Sequence, residues 1–137
     1  MNMRIIGFNL SKISAERKEK KVEKIQLSQN INIKDVIKEK IPISESEALS
    51  IKFTFTIDYS EDFANVEFGG IVLILPEKDE LKTFLKSWKD KKIPDEFRTP
   101  LFNFIMSKCN IKALNLEEEL SIPHHIPMPY INPQEKQ

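Results

Sequence analysis

At 137 residues the chain has the length of one domain, enough to bury roughly two thirds of its unfolded surface in a single core. Hydrophobic residues make up 40% and charged residues 31%, with 21 Lys and Arg against 21 Asp and Glu. Zero net charge excludes a general pull toward nucleic acid or an anionic membrane, each of which calls for a basic excess.

The longest apolar run, Gly69–Leu75, is far too short to cross a bilayer. The first residues lead into an alternating pattern rather than a solid apolar block, so no signal peptide is expected. Cys109 is the single cysteine, which allows no intrachain disulfide and suits a reducing, cytoplasmic setting. One domain over residues 1–137 is expected, with residues 132–137 as a flexible tail.

Ile6, Phe8 and Leu10 alternate, and Ile13 and Ala15 then continue in the opposite phase. That predicts a strand over residues 4–16 with a bulge inside it. The charged run Glu16–Lys21 reads as an exposed hairpin loop. Ile25, Leu27, Ile31 and Ile33 predict a second strand over 22–34. Asp35–Lys40 shows little periodicity and joins the residues up to Glu47 in a long connection with room for one short helical turn.

The third and fourth strands are the plainest part of the chain. Leu49, Ile51, Phe53, Phe55, Ile57 and Tyr59 alternate with polar residues, which places Ile51, Phe53, Phe55 and Ile57 on one shared face. After Ser60-Glu61-Asp62, the positions Ala64, Val66, Phe68, Gly70, Val72 and Ile74 repeat the alternation, predicting an antiparallel hairpin over 49–59 and 64–75. Around Gly69-Gly70-Ile71 the apolar residues become continuous, as if both faces were covered. The paired glycines lack the spacing of a phosphate loop and predict close approach of a neighbouring chain.

Pro76 ends the fourth strand. Asp79 then reads as the N-cap of a helix whose apolar stripe is Leu81, Phe84, Leu85 and Trp88. Pro94 suits the first turn of a second helix, with stripe Phe97, Leu101, Phe104, Ile105 and Cys109, a kink or restart at Pro100, and an end near Asn110 or, with Leu114 and Leu120 extending the stripe, beyond it. Pro123, Pro127, Pro129 and Pro133 make the remainder an extended segment. Strands grouped before helices give an α+β class: a four-stranded antiparallel sheet followed by two helices packed on one face.

No catalytic or metal site emerges. Adjacent histidines in an extended segment point opposite ways, so His124 and His125 read as surface residues beside prolines. Cys109 lies on an apolar stripe and reads as a buried thiol, and Glu117–Glu119 as a solvated acidic run. Neither an enzyme nor a cofactor is expected. On the far sheet face the polar Thr54, Thr56 and Asp58 give way to Ile71, Leu73 and Leu75, apolar residues that a second copy of the chain would cover.

In element order the chain resembles the SecB family of export chaperones. Ile51–Tyr59 looks like the family's third strand, and Val66–Leu75, with Phe68-Gly69-Gly70-Ile71, like its glycine-containing fourth. The run from Pro100 to Ile105 is similar to the aromatic start of its last helix. Leu120-Ser121-Ile122-Pro123 through Pro127-Met128-Pro129-Tyr130-Ile131-Asn132 is similar to its closing segment.

The chain departs from the family in a lysine-rich first helix, in the absence of a glycine after the last helix, and in neutral rather than acidic character. The family docks on the export ATPase through an acidic sheet surface, of which Asp58, Glu61 and Asp62 would supply only a part in this neutral chain.

The resemblance implies an ATP-independent holdase that binds unfolded or nascent polypeptides through apolar grooves and assembles as a dimer or a dimer of dimers. Phe84, Trp88, Ile126, Met128 and Tyr130 are the expected client-contacting residues, and Ile71, Leu73 and Leu75 the expected oligomer interface. The alternative is a non-catalytic adaptor that binds one protein partner in a translation, secretion or toxin–antitoxin assembly. Neither reading involves nucleic acid or an integral membrane segment.

Overall fold

A computed structural model describes residues 4–41 and 46–127. The tail expected at 132–137 lies outside the described residues. Four strands, β1 (Ile5–Arg17), β2 (Leu27–Lys40), β3 (Glu47–Tyr59) and β4 (Ala64–Ile74), precede two helices, α1 (Lys78–Trp88) and α2 (Asp95–Glu119). The strands form one antiparallel sheet in the order β1-β4-β3-β2. This is the predicted α+β architecture, with four differences that follow from local chemistry.

The segment after β1 is not a hairpin loop. β1 and β2 lie on opposite edges, and residues 18–26 cross the end of the sheet past the β3–β4 turn. Nine residues reach about 30 Å when extended, ample for the roughly 14 Å across three strand spacings. Backbone bonds from Lys18 N–H to Phe63 O (2.8 Å) and from Ser60 N–H to Gln26 O (2.7 Å) pin the crossing at both ends. The order is that of a Greek key.

Asp35–Lys40 is strand, not connection. The β2–β3 register shifts between Ile33 and Asp35, so the extra residue Lys34 reverses the phase and brings Val36 opposite Ile51 on the core face. That reversal is what hides the alternation in the sequence. β1 carries the expected bulge, a register shift between Leu10 and Lys12, and a second between Ile5 and Gly7.

α2 runs unbroken through Pro100 to Glu119. Its buried positions Phe97, Leu101, Ile105, Cys109, Ala113 and Glu117 recur every four residues. Such a row drifts around the helix, and it ends in a glutamate, which disguises the last two turns. At the start of α1, Glu77 rather than Asp79 is the N-cap, with Glu77 and Glu80 side chains each bonding the other's backbone N–H.

The core lies between one sheet face and the helices. Leu49, Ile51, Phe53, Phe55 and Ile57 of β3 are fully buried together, opposite Ile74, Val72, Gly70, Phe68 and Val66 of β4. Phe8 stacks on Phe53 and meets Phe104 edge-on, both at 5.7 Å between ring centroids, and Phe84 packs on Phe97 at 5.2 Å.

α2 closes in a Schellman turn. Ser121 N–H donates to Glu118 O, Ile122 N–H donates to Glu117 O, and Ser121 sits at φ 54°. A side chain in that left-handed region costs about 1–2 kcal/mol. Ser121→Gly is therefore expected to raise stability by about 0.5–1 kcal/mol, the larger freedom of glycine in the unfolded chain offsetting part of the gain. Urea denaturation reads this as a higher midpoint at unchanged slope.

Candidate polypeptide-binding surfaces

Three surfaces bear on function. The first is an open groove of about 1290 Å³ where α1 passes the end of the sheet. Leu75, Leu81 and Leu85 supply its apolar lining. Arg4, Lys38, Lys78 and Lys82 stand against Glu47, Glu77 and Asp79 around it, and Lys38 already pairs with Glu47 at 3.3 Å. Leucines interspersed with charges of both signs offer a ligand apolar and polar contacts together.

The expected contact residues fall in different places. Phe84 is fully buried against Phe97 and forms part of the core beneath α1. Trp88, one turn on, is half-buried, with Lys91 Nζ 5.0 Å from its ring centroid. Ile126 is half-buried in the segment after α2, some distance along the chain from both. Met128 and Tyr130 lie outside the described residues. The groove residues Leu81 and Leu85 were legible in the sequence as part of the α1 stripe; their side of the helix faces the groove while Phe84 faces inward.

The second surface is the uncovered sheet face. One end is polar, with Asn30, Asn32, Thr54, Thr56 and Glu67 in register. At the other end Ile37, Ser50 and Leu73 form one row, and Lys52 and Ile71 the next. Ile71 is 37% and Ile37 52% exposed, and Leu73 and Leu75 are half-buried. Among the described residues, the continuous apolar run of β4 is therefore covered on the helix side only.

The third surface is the segment from Leu120 to Pro127, and it corrects two sequence readings. Glu117 is fully buried rather than solvated, and the His125 side chain is fully buried rather than at the surface. His125 Nδ1 lies 3.0 Å from both carboxylate oxygens of Glu117, its backbone N–H donates to Glu117 Oε1 at 3.2 Å, and Nε2 faces Asn110 Oδ1 at 2.7 Å.

The Tyr59 hydroxyl meets Glu117 Oε2 at 2.8 Å and the Pro123 carbonyl. Burial first, and then the Glu117 carboxylate, push the Tyr59 phenol well above its ordinary range, so it acts as a donor. Among the described residues no buried side-chain polar atom is without a partner. The signal that finds Glu117 is its spacing: Cys109, Ala113 and Glu117 continue the buried row four residues at a time.

Cys109 is buried in the core, and burial pushes its thiol up to about 12, leaving it a packing residue rather than a nucleophile. Among the described residues no group of three or more His, Cys, Asp or Glu side chains is arranged to hold a metal ion. No helix there is long and apolar enough to cross a membrane.

No family model and no curated protein matches the sequence. Among solved structures, the chain is similar to the Mycobacterium tuberculosis SecB-like chaperone Rv1957, determined in complex with a ChAD peptide from the Rv1956 HigA1 antitoxin. The likeness covers 95% of this chain and 88% of that one, with a TM-score of 0.53 and 14% identity. The fold is SecB-like. At that identity the likeness fixes architecture alone. The SecB-like frame here carries a groove of mixed leucine and charged lining beside α1, an apolar end on the open sheet face, and a buried polar cluster fastening the segment after α2.

Proposed function

We propose that this SecB-like protein is a non-catalytic, ATP-independent holdase that binds unfolded or nascent polypeptide. The observation that carries the reading is the open groove beside α1, lined by Leu75, Leu81 and Leu85 among charged residues of both signs, on a SecB-like fold. A client segment laid there gains about 25 cal/mol for each Å² of apolar surface removed from water. Half-buried Trp88 on α1 is a further proposed client contact outside the groove lining, and Phe84 lies buried beneath α1. Among the described residues β1 and β2 are the edge strands, and their outer backbone groups face away from the sheet, where an extended chain could pair.

At near-stoichiometric amounts the protein is expected to slow the aggregation of several unrelated unfolded proteins without nucleotide. Light scattering during their refolding reads the effect, and protection of none of them overturns the reading. Cytoplasmic residence and a role in export belong to the same proposal.

The apolar end of the sheet face gives the second part. Ile71 and Leu73, with Ile37 beside them, form a surface for a symmetric copy to cover, while Leu75 lines the groove beside α1; the protein is expected to be a dimer or a dimer of dimers. Several grooves on one assembly would add avidity along a single client. Light scattering behind a sizing column decides this. A monomer at micromolar concentration removes the avidity argument.

One observation favours a second reading, an adaptor dedicated to a single partner: the similar chaperone was solved with a peptide from an antitoxin. An adaptor would bind one cognate peptide tightly and protect no unrelated client.

A further inference from the structure

The buried polar cluster at the end of α2 has a purpose that packing alone does not explain. A glutamate and a histidine inside a core are costly to desolvate, and an apolar pair would close the same space at least as well. Tyr59 of β3 apart, the groups that Glu117 and Asn110 grip belong to the short segment after the helix. Glu117 holds the backbone N–H and Nδ1 of His125 as well as the hydroxyl of Tyr59, which in turn bonds Pro123. Asn110 takes the other ring nitrogen, and Arg17 Nη1 donates to Leu120 O at 3.0 Å.

These bonds lay the segment over an apolar strip. The His125 ring stands edge-on to Phe55 at 6.3 Å between centroids, and Ile122 is inserted in the core at 5% exposure. Phe55 and Tyr59 lie opposite Ile31 and Leu27 of β2 in the sheet register, and those two are only half-buried. β2 is an edge strand, so the strip runs beside unpaired backbone groups.

We propose that the segment from Ile122 to Pro127 is a self-bound strap: the chain occupies its own polypeptide-binding strip, held by the Glu117–His125–Tyr59–Asn110 latch, and a client gains the strip when the latch opens. The client part of this proposal rests on the polypeptide-binding reading above; the strap itself does not. A hydrogen-bonded polar latch suits a contact that must release, because its groups can exchange protein partners for water, whereas a packed apolar plug has no such substitute.

The test uses the full chain with His125→Ala and, as a milder change that keeps the ring, Tyr59→Phe, with the exposed His124→Ala as control. Amide exchange at Ile122 and at position 125 is expected to quicken about tenfold in both latch variants while β3 and β4 amides keep their protection. Fluorescence of 8-anilinonaphthalene-1-sulfonate is expected to rise in step. Affinity for reduced, carboxymethylated α-lactalbumin is expected to tighten by about the same factor.

Unchanged exchange in both variants overturns the strap, as does faster exchange with no gain in dye binding. Tighter dye binding with faster exchange, but no α-lactalbumin binding by any form, upholds the strap and overturns the polypeptide-binding reading. Faster exchange with α-lactalbumin binding equal in wild type and variants overturns the link between strap and client.

Discussion

Phe55→Ala is expected to lower the stability of the fold by about 3–5 kcal/mol, the cost of removing a buried phenylalanine and leaving most of its cavity behind. Phe55 has no exposed surface, stacks on Phe68 at 5.9 Å, lies opposite Ile31 on the other side, and meets the His125 ring from above. With neighbours on strands to both sides and on the segment after α2, the site has little freedom to collapse into the space. Urea denaturation monitored by circular dichroism measures the loss. A near-neutral result would mean that the shared face of Ile51, Phe53, Phe55 and Ile57 is not the core.

Gly70→Ala is expected to cost about 1–3 kcal/mol, and Gly69→Ala, one residue away, to change stability by no more than about 0.5 kcal/mol. The contrast comes from the β1 bulge. At Gly70 an added methyl would sit well inside contact distance of the Asn9 carbonyl oxygen and 3.1 Å from Leu10 Cα, so the backbone of β1 would have to move. At Gly69 it would meet Lys12 Cβ at 3.5 Å, an ordinary contact. Equal effects from the two substitutions would remove the close approach of β1 as the reason for glycine at position 70.

The parts of the fold legible in the sequence are those in which one rule acts alone. The hairpin of β3 and β4 alternates without interruption because both strands are central and regular. β2 was misplaced because one inserted residue, Lys34, reverses its alternation, so that Ile33 and Val36 serve the same face at an odd spacing. The crossing of residues 18–26 was unreadable, since a charged loop between two strands looks the same whether it turns back or passes across the sheet end.

For the candidate surfaces the division is similar. Leu73 and Ile71 follow from strand phase alone. Glu117 and His125 do not, because a buried acid and a buried base each look like surface residues until the other is placed beside it. Only the four-residue spacing from Cys109 through Ala113 to Glu117 carried a trace of the cluster.

The strand order also dictates when each part of the sheet can form. β2, β3 and β4 are consecutive hairpins whose pairings close over short stretches of chain. β1 has no such partner: Ile5 meets Ile74 and Arg17 meets Ala64, so the first strand to leave the ribosome is the last to find its place. Until then it is an unpaired strand with Ile6, Phe8, Leu10 and Ile13 bare to solvent, and β4 is an unguarded edge. For that interval the bare β1 and the open edge of β4 are the parts of the nascent chain most exposed to pairing with a strand of another molecule.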